Sequence, residues 1–89
     1  MTNILEDALA AVTGPRAEAY GPPEWNWQRT VDIYFAMTGH KLTAAEGVQF
    51  AIAMKLARLY QTPNHRDSIV DLAGYSWVLA SVVGKNEQA

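Results

Sequence analysis

The sequence predicts an all-α fold, a small four-helix bundle that forms one domain over residues 1–89. Three observations predict it. Apolar residues recur at helical spacing, helix start and stop signals divide the chain into four segments, and no stretch alternates apolar and polar residues as a half-buried strand would. The length is enough for a single domain.

The first predicted helix belongs to an N-terminal segment, residues 1–15. Asn3 followed three residues later by Glu6 is a helix-start pattern. The helix is expected to end before the run Thr-Gly-Pro that finishes at Pro15. Residues 16–23 are predicted to be a loop, because they close with a glycine and two prolines.

Residues 24–84 are predicted to be the three-helix core of the domain. The second helix is expected over about 23–38, with Gly39 as its C-terminal cap. The third helix has the clearest start, because Thr43 and Glu46 form the spacing of a capping box.

The third helix is expected to end near residue 60 or 61, because a residue that precedes proline is pushed out of helical geometry and Pro63 follows closely. The fourth helix is predicted to begin near Asp67, whose charge favours a helix N-terminus, and to reach Val83 before Gly84. The polar tail, residues 85–89, is expected to fray.

Composition excludes several function classes. The chain has no cysteine, so disulfides and thiolate metal sites are excluded. The net charge is −2 and the seven basic residues are scattered, which is not the basic footprint of a nucleic-acid binder. No run of about 18 apolar residues occurs, and the N-terminus lacks a signal-peptide pattern, so a membrane partner is not expected. The expected location is the cytoplasm.

Hydrophobic residues make up 49% of this short chain. A domain of this size buries a modest fraction of its surface by folding alone. Some of the apolar surface is therefore expected to be covered by a partner. The simplest partner is another copy, giving a homodimer or a higher homo-oligomer.

Two isolated charges lie in very apolar helical segments, Lys55 in the third helix and Asp71 in the fourth. Each lies eight residues from Pro63, so a hairpin of these two helices, antiparallel and central in the bundle, places them at one height. By the same count, Arg58 is expected to face Asp67. The spacing alone favours a structural ion pair that fixes the hairpin register. The functional alternative is a polar site for a phosphate-bearing ligand or a metal.

Two further features remain open. The predicted loop concentrates Arg16 and Tyr20, which either serve a binding site or cover the core and pair with a neighbouring carboxylate. Asp67 and Asp71 lie one helical turn apart and are the candidate pair for Mg²⁺, the one cofactor considered.

Three segments together carry a family resemblance: Arg-Ala-Glu-Ala-Tyr-Gly from Arg16, Lys-Leu-Ala-Arg from Lys55, and Asp-Ser-Ile-Val-Asp-Leu-Ala-Gly-Tyr from Asp67. In this order and spacing the chain resembles a family of small phage and prophage proteins. That family is in turn distantly similar to the MazG-like all-α nucleoside-triphosphate pyrophosphohydrolases, which are oligomeric helical bundles that hold Mg²⁺ with E-x-x-E and E-x-x-D motifs on successive helices.

The resemblance implies that Asp71 stands for the last acidic residue of those motifs. Ser68 occupies the position where the motif has glutamate, and the third helix offers Gln49, Lys55 and Arg58 instead of an E-x-x-E pair. The resemblance therefore implies the fold and the oligomer more directly than it implies hydrolysis, and whether the protein is an enzyme stays open.

The leading interpretation is a phage-type, MazG-like protein that binds a nucleotide or another phosphate ligand. Three cations would contact phosphate, two carboxylates would orient them or hold Mg²⁺, and two tyrosines would line the site. The seven residues are Arg16, Lys55, Arg58, Asp67, Asp71, Tyr20 and Tyr75. The alternative is a non-catalytic protein that binds and modulates a host protein, with Trp25 or Trp77 as an interface anchor.

Overall fold

A computed structural model describes residues 3–87, apart from the side chains of residues 16, 17 and 85–87. Every regular element in this range is helical, which confirms the predicted all-α class. Four longer helices and one short helix follow one another along the chain. They are α1 (Ile4–Thr13), α2 (Pro15–Tyr20), α3 (Pro23–Thr38), α4 (Ala44–Gln61) and α5 (Arg66–Glu87).

The start of α1 follows from Asn3, whose side-chain oxygen accepts hydrogen bonds from the backbone N–H groups of Leu5 and Glu6 at 2.7 and 3.4 Å. The predicted loop at residues 16–23 is wrong over most of its length, because α2 occupies it. Pro15 suits the first position of a helix, since its missing N–H has no partner to lose there. Only Gly21 and the following proline separate α2 from α3.

The boundaries of α3 and α4 agree with the sequence signals. Gly39 ends α3 in the left-handed conformation, with φ of 77°, and its N–H donates to the Phe35 carbonyl. At the start of α4 the Thr43 hydroxyl accepts from the Glu46 N–H at 3.1 Å, and the Glu46 carboxylate accepts from the Thr43 N–H at 2.8 Å. The predicted capping box is therefore present.

The Glu46 cap makes folding sensitive to acid. Hydrogen bonds from the backbone and side chain of Thr43 lower the pKa of Glu46 below its usual 4.5. A lowered folded-state pKa contributes stability that is fully present above pH 4.5 and is lost as the pH falls through the folded value. We expect Glu46→Gln to be less stable than the wild type at neutral pH in urea unfolding, with the difference shrinking as the pH falls below 4.5. Glu24→Gln in the first turn of α3 is the control, and an equal pH profile for both variants would contradict the prediction.

The last helix is longer than expected. It continues through Gly84 to Glu87, and residues 88 and 89 lie outside the described part of the chain. The fraying expected for residues 85–89 stays a prediction. Its first turn is capped by His65, whose Nδ1 accepts from the Ser68 N–H at 3.3 Å and lies 2.8 Å from the Ser68 hydroxyl. Ser68 itself is fully buried.

Helices α4 and α5 form the central hairpin, with α1 packed on α5 and α3 packed mainly on α4. Val48 of α4 lies in one buried cluster with Val78 and Val82 of α5. Gly47 allows α3 to approach α4 closely, because an added Cβ atom would lie 2.7 Å from a methyl group of Val31.

A long-range ion pair joins α5 to α1. The Arg66 guanidinium lies 2.6 Å from the Asp7 carboxylate, so the first turn of α5 is tied to α1. Both side chains are partly hydrated, with exposed fractions of 44% and 32%. The pair therefore orients α1 more than it stabilises the fold.

The buried apolar residues are all small, whereas many large ones are on the surface. Among the described residues, every buried hydrophobic side chain is an alanine or a valine: Ala8, Val31, Val48, Ala51, Val78 and Val82. Large apolar or aromatic side chains on every one of the four longer helices are exposed, with Tyr60 and Met37 among the extremes. This distribution leaves the isolated chain with much uncovered apolar surface.

No helix in the described range combines the length and the apolar character that crossing a membrane requires.

Candidate functional site

The two isolated charges meet. The Lys55 ammonium lies 2.8 Å from the Asp71 carboxylate, which confirms the contact expected from folding the chain about Pro63. Helix α4 carries the cation and α5 carries the anion. Their side chains keep exposed fractions of 20% and 35%, so the pair is neither sealed in the core nor fully hydrated.

The pair lies in the wall of an open cavity of about 330 Å³. All five helices contribute to this cavity, and most of the lining comes from α3 and α5. The lining residues are Ala11, Val12, Tyr20, Gly21, Pro23, Asn26, Trp27, Lys55, Val70, Asp71, Gly74, Tyr75 and Val78.

Three aromatic side chains border the same cavity. Trp27 and Tyr75 make an edge-to-face contact, with ring centres 6.2 Å apart and planes at 79°. Tyr20, at the end of α2, is 58% exposed and stands at the rim. The cavity therefore combines aromatic surface with one ion pair.

Four of the seven residues proposed from the sequence are brought together here: Tyr20, Lys55, Asp71 and Tyr75. Arg58 and Asp67 are exposed and lie outside the cavity wall, and no ion pair joins them within residues 3–87. Arg16 is in α2, but its side chain lies outside the described residues.

Two of the polar or aromatic lining residues, Asn26 and Trp27, were not among the seven proposed from the sequence. Trp27 fits the apolar stripe of an amphipathic helix, so its spacing indicated core packing and not a site. Asn26, its neighbour, resembles any solvent-facing residue of α3. Both reach the cavity because α3 lies against the central hairpin, which depends on tertiary packing.

A metal centre receives little support from the side-chain arrangement. Within the described residues, no group of three or more histidine or acidic side chains is close enough to hold an ion. Asp71 is engaged by Lys55, and the buried Ser68 hydroxyl lies against His65. The cavity is better suited to hydrogen bonding, because the Lys55 ammonium has three donor hydrogens and a carboxylate has several acceptor sites.

The chain has phage relatives. It is 32% identical over 74 residues to the Gene 55 protein of Mycobacterium phage D29, an alignment that covers 83% of this chain and 49% of the relative. It is 33% identical over 78 residues to the Gene 55 protein of Mycobacterium phage L5, covering 86% and 50%. The chain thus spans about half the length of these curated relatives.

No solved structure matches the chain. The family match, in contrast, covers nearly the whole chain. Residues 3–83 match a domain of unknown function named DUF6378, and this range includes every residue that lines the cavity. The phage relatives and this match agree with the expected phage protein family, and the chain belongs to the DUF6378 family.

Proposed function

We propose that this domain binds a small nucleotide-type ligand in the cavity between its five helices, in the cytoplasm of the host cell. The observation that carries the proposal is the position of the Lys55–Asp71 pair, which forms part of an open cavity wall instead of being closed between two helices. A purely structural pair would need no such opening.

Size and chemistry support this ligand class. The volume of about 330 Å³ is at the lower end of the range for small-molecule sites. Tyr20, Trp27 and Tyr75 offer aromatic surface for a planar base, and the ion pair offers donors and acceptors for a polar group.

The charge of the cavity favours a ligand with few negative charges. Lys55 is the one basic side chain that the described residues place in the wall, and Asp71 already neutralises it. A triphosphate would meet a carboxylate next to that single cation. We therefore propose a nucleoside or a nucleoside monophosphate as a better ligand than a nucleoside triphosphate.

Descent from a MazG-like pyrophosphohydrolase is part of the proposal and rests on the sequence resemblance around Asp71. Binding is proposed without hydrolysis, because the carboxylates needed for Mg²⁺ are replaced in this chain and Asp71 is occupied by Lys55. Release of pyrophosphate or phosphate in the presence of Mg²⁺, abolished by Asp71→Asn, would show instead that the domain is an enzyme that uses Asp67 and Asp71.

Thermal unfolding with nucleosides, nucleoside monophosphates and triphosphates, each with and without Mg²⁺, tests binding. A ligand at one hundred times its dissociation constant adds about 2.7 kcal/mol of stability, which corresponds to about 10–20 °C in Tm for a domain of this size. We expect Lys55→Met to abolish this ligand-induced increment. Arg58→Met, which removes a cation from the same helix outside the cavity, should retain it.

Failure of every nucleoside and nucleotide to raise Tm would overturn the ligand proposal. Loss of the increment in Arg58→Met but not in Lys55→Met would place binding outside the cavity, near Arg58. The increments are compared within each variant, because Lys55→Met also changes the stability of the ligand-free protein.

A second candidate function is modulation of a host protein through an exposed aromatic anchor. Trp25 is 63% exposed on α3 and Trp77 is 40% exposed on α5, and tryptophan is enriched among residues that dominate protein interfaces. This alternative becomes the leading function if no nucleotide stabilises the domain.

A further inference from the structure

We propose that Asn26 recognises the base of the bound ligand and that this base is adenine, so that the ligand is adenosine or adenosine monophosphate. The inference rests on the proposed nucleotide site and defines its ligand more narrowly. It starts from a partly buried side-chain amide in the cavity wall that has no hydrogen-bond partner among the described residues.

Helical spacing places Asn26 on the side of α3 that faces the cavity. Pro23, Asn26 and Trp27 all line the cavity, and residues three and four positions apart share one side of a helix. Trp25 and Gln28 border a separate groove beside the start of α4. The two sets have no residue in common, so α3 presents Asn26 to the cavity and not to the groove.

The backbone of Asn26 is satisfied within the chain, whereas its side chain is not. Its N–H donates to the Pro22 carbonyl at 2.9 Å, and its carbonyl accepts from the Thr30 hydroxyl at 2.8 Å. The side-chain amide has no such partner in the described part of the chain. No side-chain nitrogen or oxygen that lacks a partner is fully buried there. The amide can therefore be reached from the cavity.

Asn26 differs from the other amide side chains of the protein. Among the asparagine and glutamine side chains that the structure describes, it is the one that is not exposed. An exposed amide bonds to water, whereas a buried amide without a partner costs free energy. A position that served packing alone would favour an apolar residue. The amide at this position therefore indicates a partner that enters the cavity.

The chemistry of the amide suits adenine. An asparagine side chain holds N–H donors next to a carbonyl acceptor. Adenine has the complementary edge, a ring nitrogen that accepts next to an exocyclic amine that donates, and asparagine pairs with this edge through two hydrogen bonds. Trp27 and Tyr75 border the same cavity and offer aromatic surface on which the base can stack.

The rest of the cavity wall disfavours the other bases. Much of the wall is apolar and includes Val12, Val70 and Val78. Adenine carries a single exocyclic polar group, whereas guanine, cytosine and uracil each carry a second one. A second polar group against valine side chains would lose its hydrogen bonds to water without replacement. The Lys55–Asp71 pair then stays available for the ribose or the phosphate.

Isothermal titration calorimetry of the full chain tests the inference with adenosine and with purine riboside, which lacks the exocyclic amine. We expect the wild type to bind adenosine about 10-fold or more tightly than purine riboside, which is the usual discrimination of a two-bond contact. Asn26→Leu should bind both nucleosides with the same affinity, because the amide that distinguishes them is gone.

Two control variants separate base recognition from other effects. Gln28→Leu replaces an amide on the side of α3 that faces the groove and should keep the preference for adenosine. Lys55→Met should weaken both nucleosides by the same factor. The Asn26 amide makes no hydrogen bond within the described residues, so ligand-free Asn26→Leu should have a Tm no lower than that of the wild type.

The outcomes distinguish this inference from the proposed function. Equal binding of adenosine and purine riboside by the wild type, a comparison that needs no variant, would overturn the role of Asn26 and leave the nucleotide site standing. An adenosine preference that survives in Asn26→Leu would do the same. Tighter binding of guanosine, cytidine or uridine than of adenosine would overturn adenine as the base. Absence of binding by every nucleoside and nucleotide would overturn both proposals.

Discussion

Gly47→Ala is expected to destabilise the domain by about 1–2 kcal/mol, although alanine is normally worth about 1 kcal/mol more than glycine within a helix. The added Cβ atom would lie 2.7 Å from the Val31 methyl group and 3.3 Å from the Trp27 ring. Neither valine nor a packed indole moves freely, so α3 must shift away from α4, and overpacking of this kind costs about 1–3 kcal/mol. Urea unfolding at neutral pH measures the change.

Two control variants separate packing from helix propensity. Gly84→Ala should stabilise the domain by up to about 1 kcal/mol, because no described atom lies within 4 Å of the added Cβ atom. In the Gly47→Ala/Val31→Ala double variant, the clash partner is shortened, so the combined loss should be smaller than the sum of the single losses. Additive losses, or a stabilising Gly47→Ala, would mean that α3 and α4 are farther apart than described.

Lys55→Met is expected to cost about 1–2 kcal/mol. The substitution keeps most of the aliphatic stem but leaves the Asp71 carboxylate without its partner, at an exposed fraction of 35%. Loss of a partner from a fully buried charge costs about 3–5 kcal/mol, and hydration of this partly exposed pair reduces that amount. Asp71→Asn should cost a similar amount, because it leaves the ammonium in the same cavity wall.

The double variant Lys55→Met/Asp71→Asn should recover much of the loss, because no unpaired charge remains. A double-mutant cycle in chemical denaturation should give a coupling energy of about 2 kcal/mol. Coupling near zero would show that the two charges do not depend on each other in solution. The ligand-induced rise in Tm is an independent measurement. A purely structural ion pair predicts the coupling energy but predicts no rise in Tm with nucleotides.

Local signals accounted for most of the helix boundaries. Asn3, Gly39 and the Thr43–Glu46 capping box each act within one or two turns, so their effect is visible in a single sequence. The short α2 was missed because six residues give too little periodicity to distinguish a helix from a loop. The extension of α5 past Gly84 was missed because glycine is a common helix terminator but is tolerated inside a helix.

The site could be predicted only in part. Counting residues about Pro63 gave the heights of Lys55 and Asp71, and those residues meet. The same count suggested an Arg58–Asp67 contact that the described residues do not make. Equal height along a hairpin does not fix the direction of a side chain around the helix axis. Arg58 follows Lys55 by three residues, so its side chain is rotated by about 60° from that of Lys55 around the axis of α4. The contribution of α1 and α3 to the cavity depends on distant parts of the chain, so no local pattern could indicate it.

The all-alanine-and-valine interior has an evolutionary consequence. Such a side chain loses at most a few methyl groups on truncation, whereas any enlargement must push one helix away from another. Substitutions towards smaller residues are therefore tolerated inside, and substitutions towards larger ones are selected against. Exposed bulky residues are free to drift, except where an assembly holds them, whereas Trp27, Ile52, Tyr75 and Leu79 pack against the buried cluster. Within this family, residue volume should therefore vary least at the helix crossings. Hydrophobicity should vary least at any shared assembly surface.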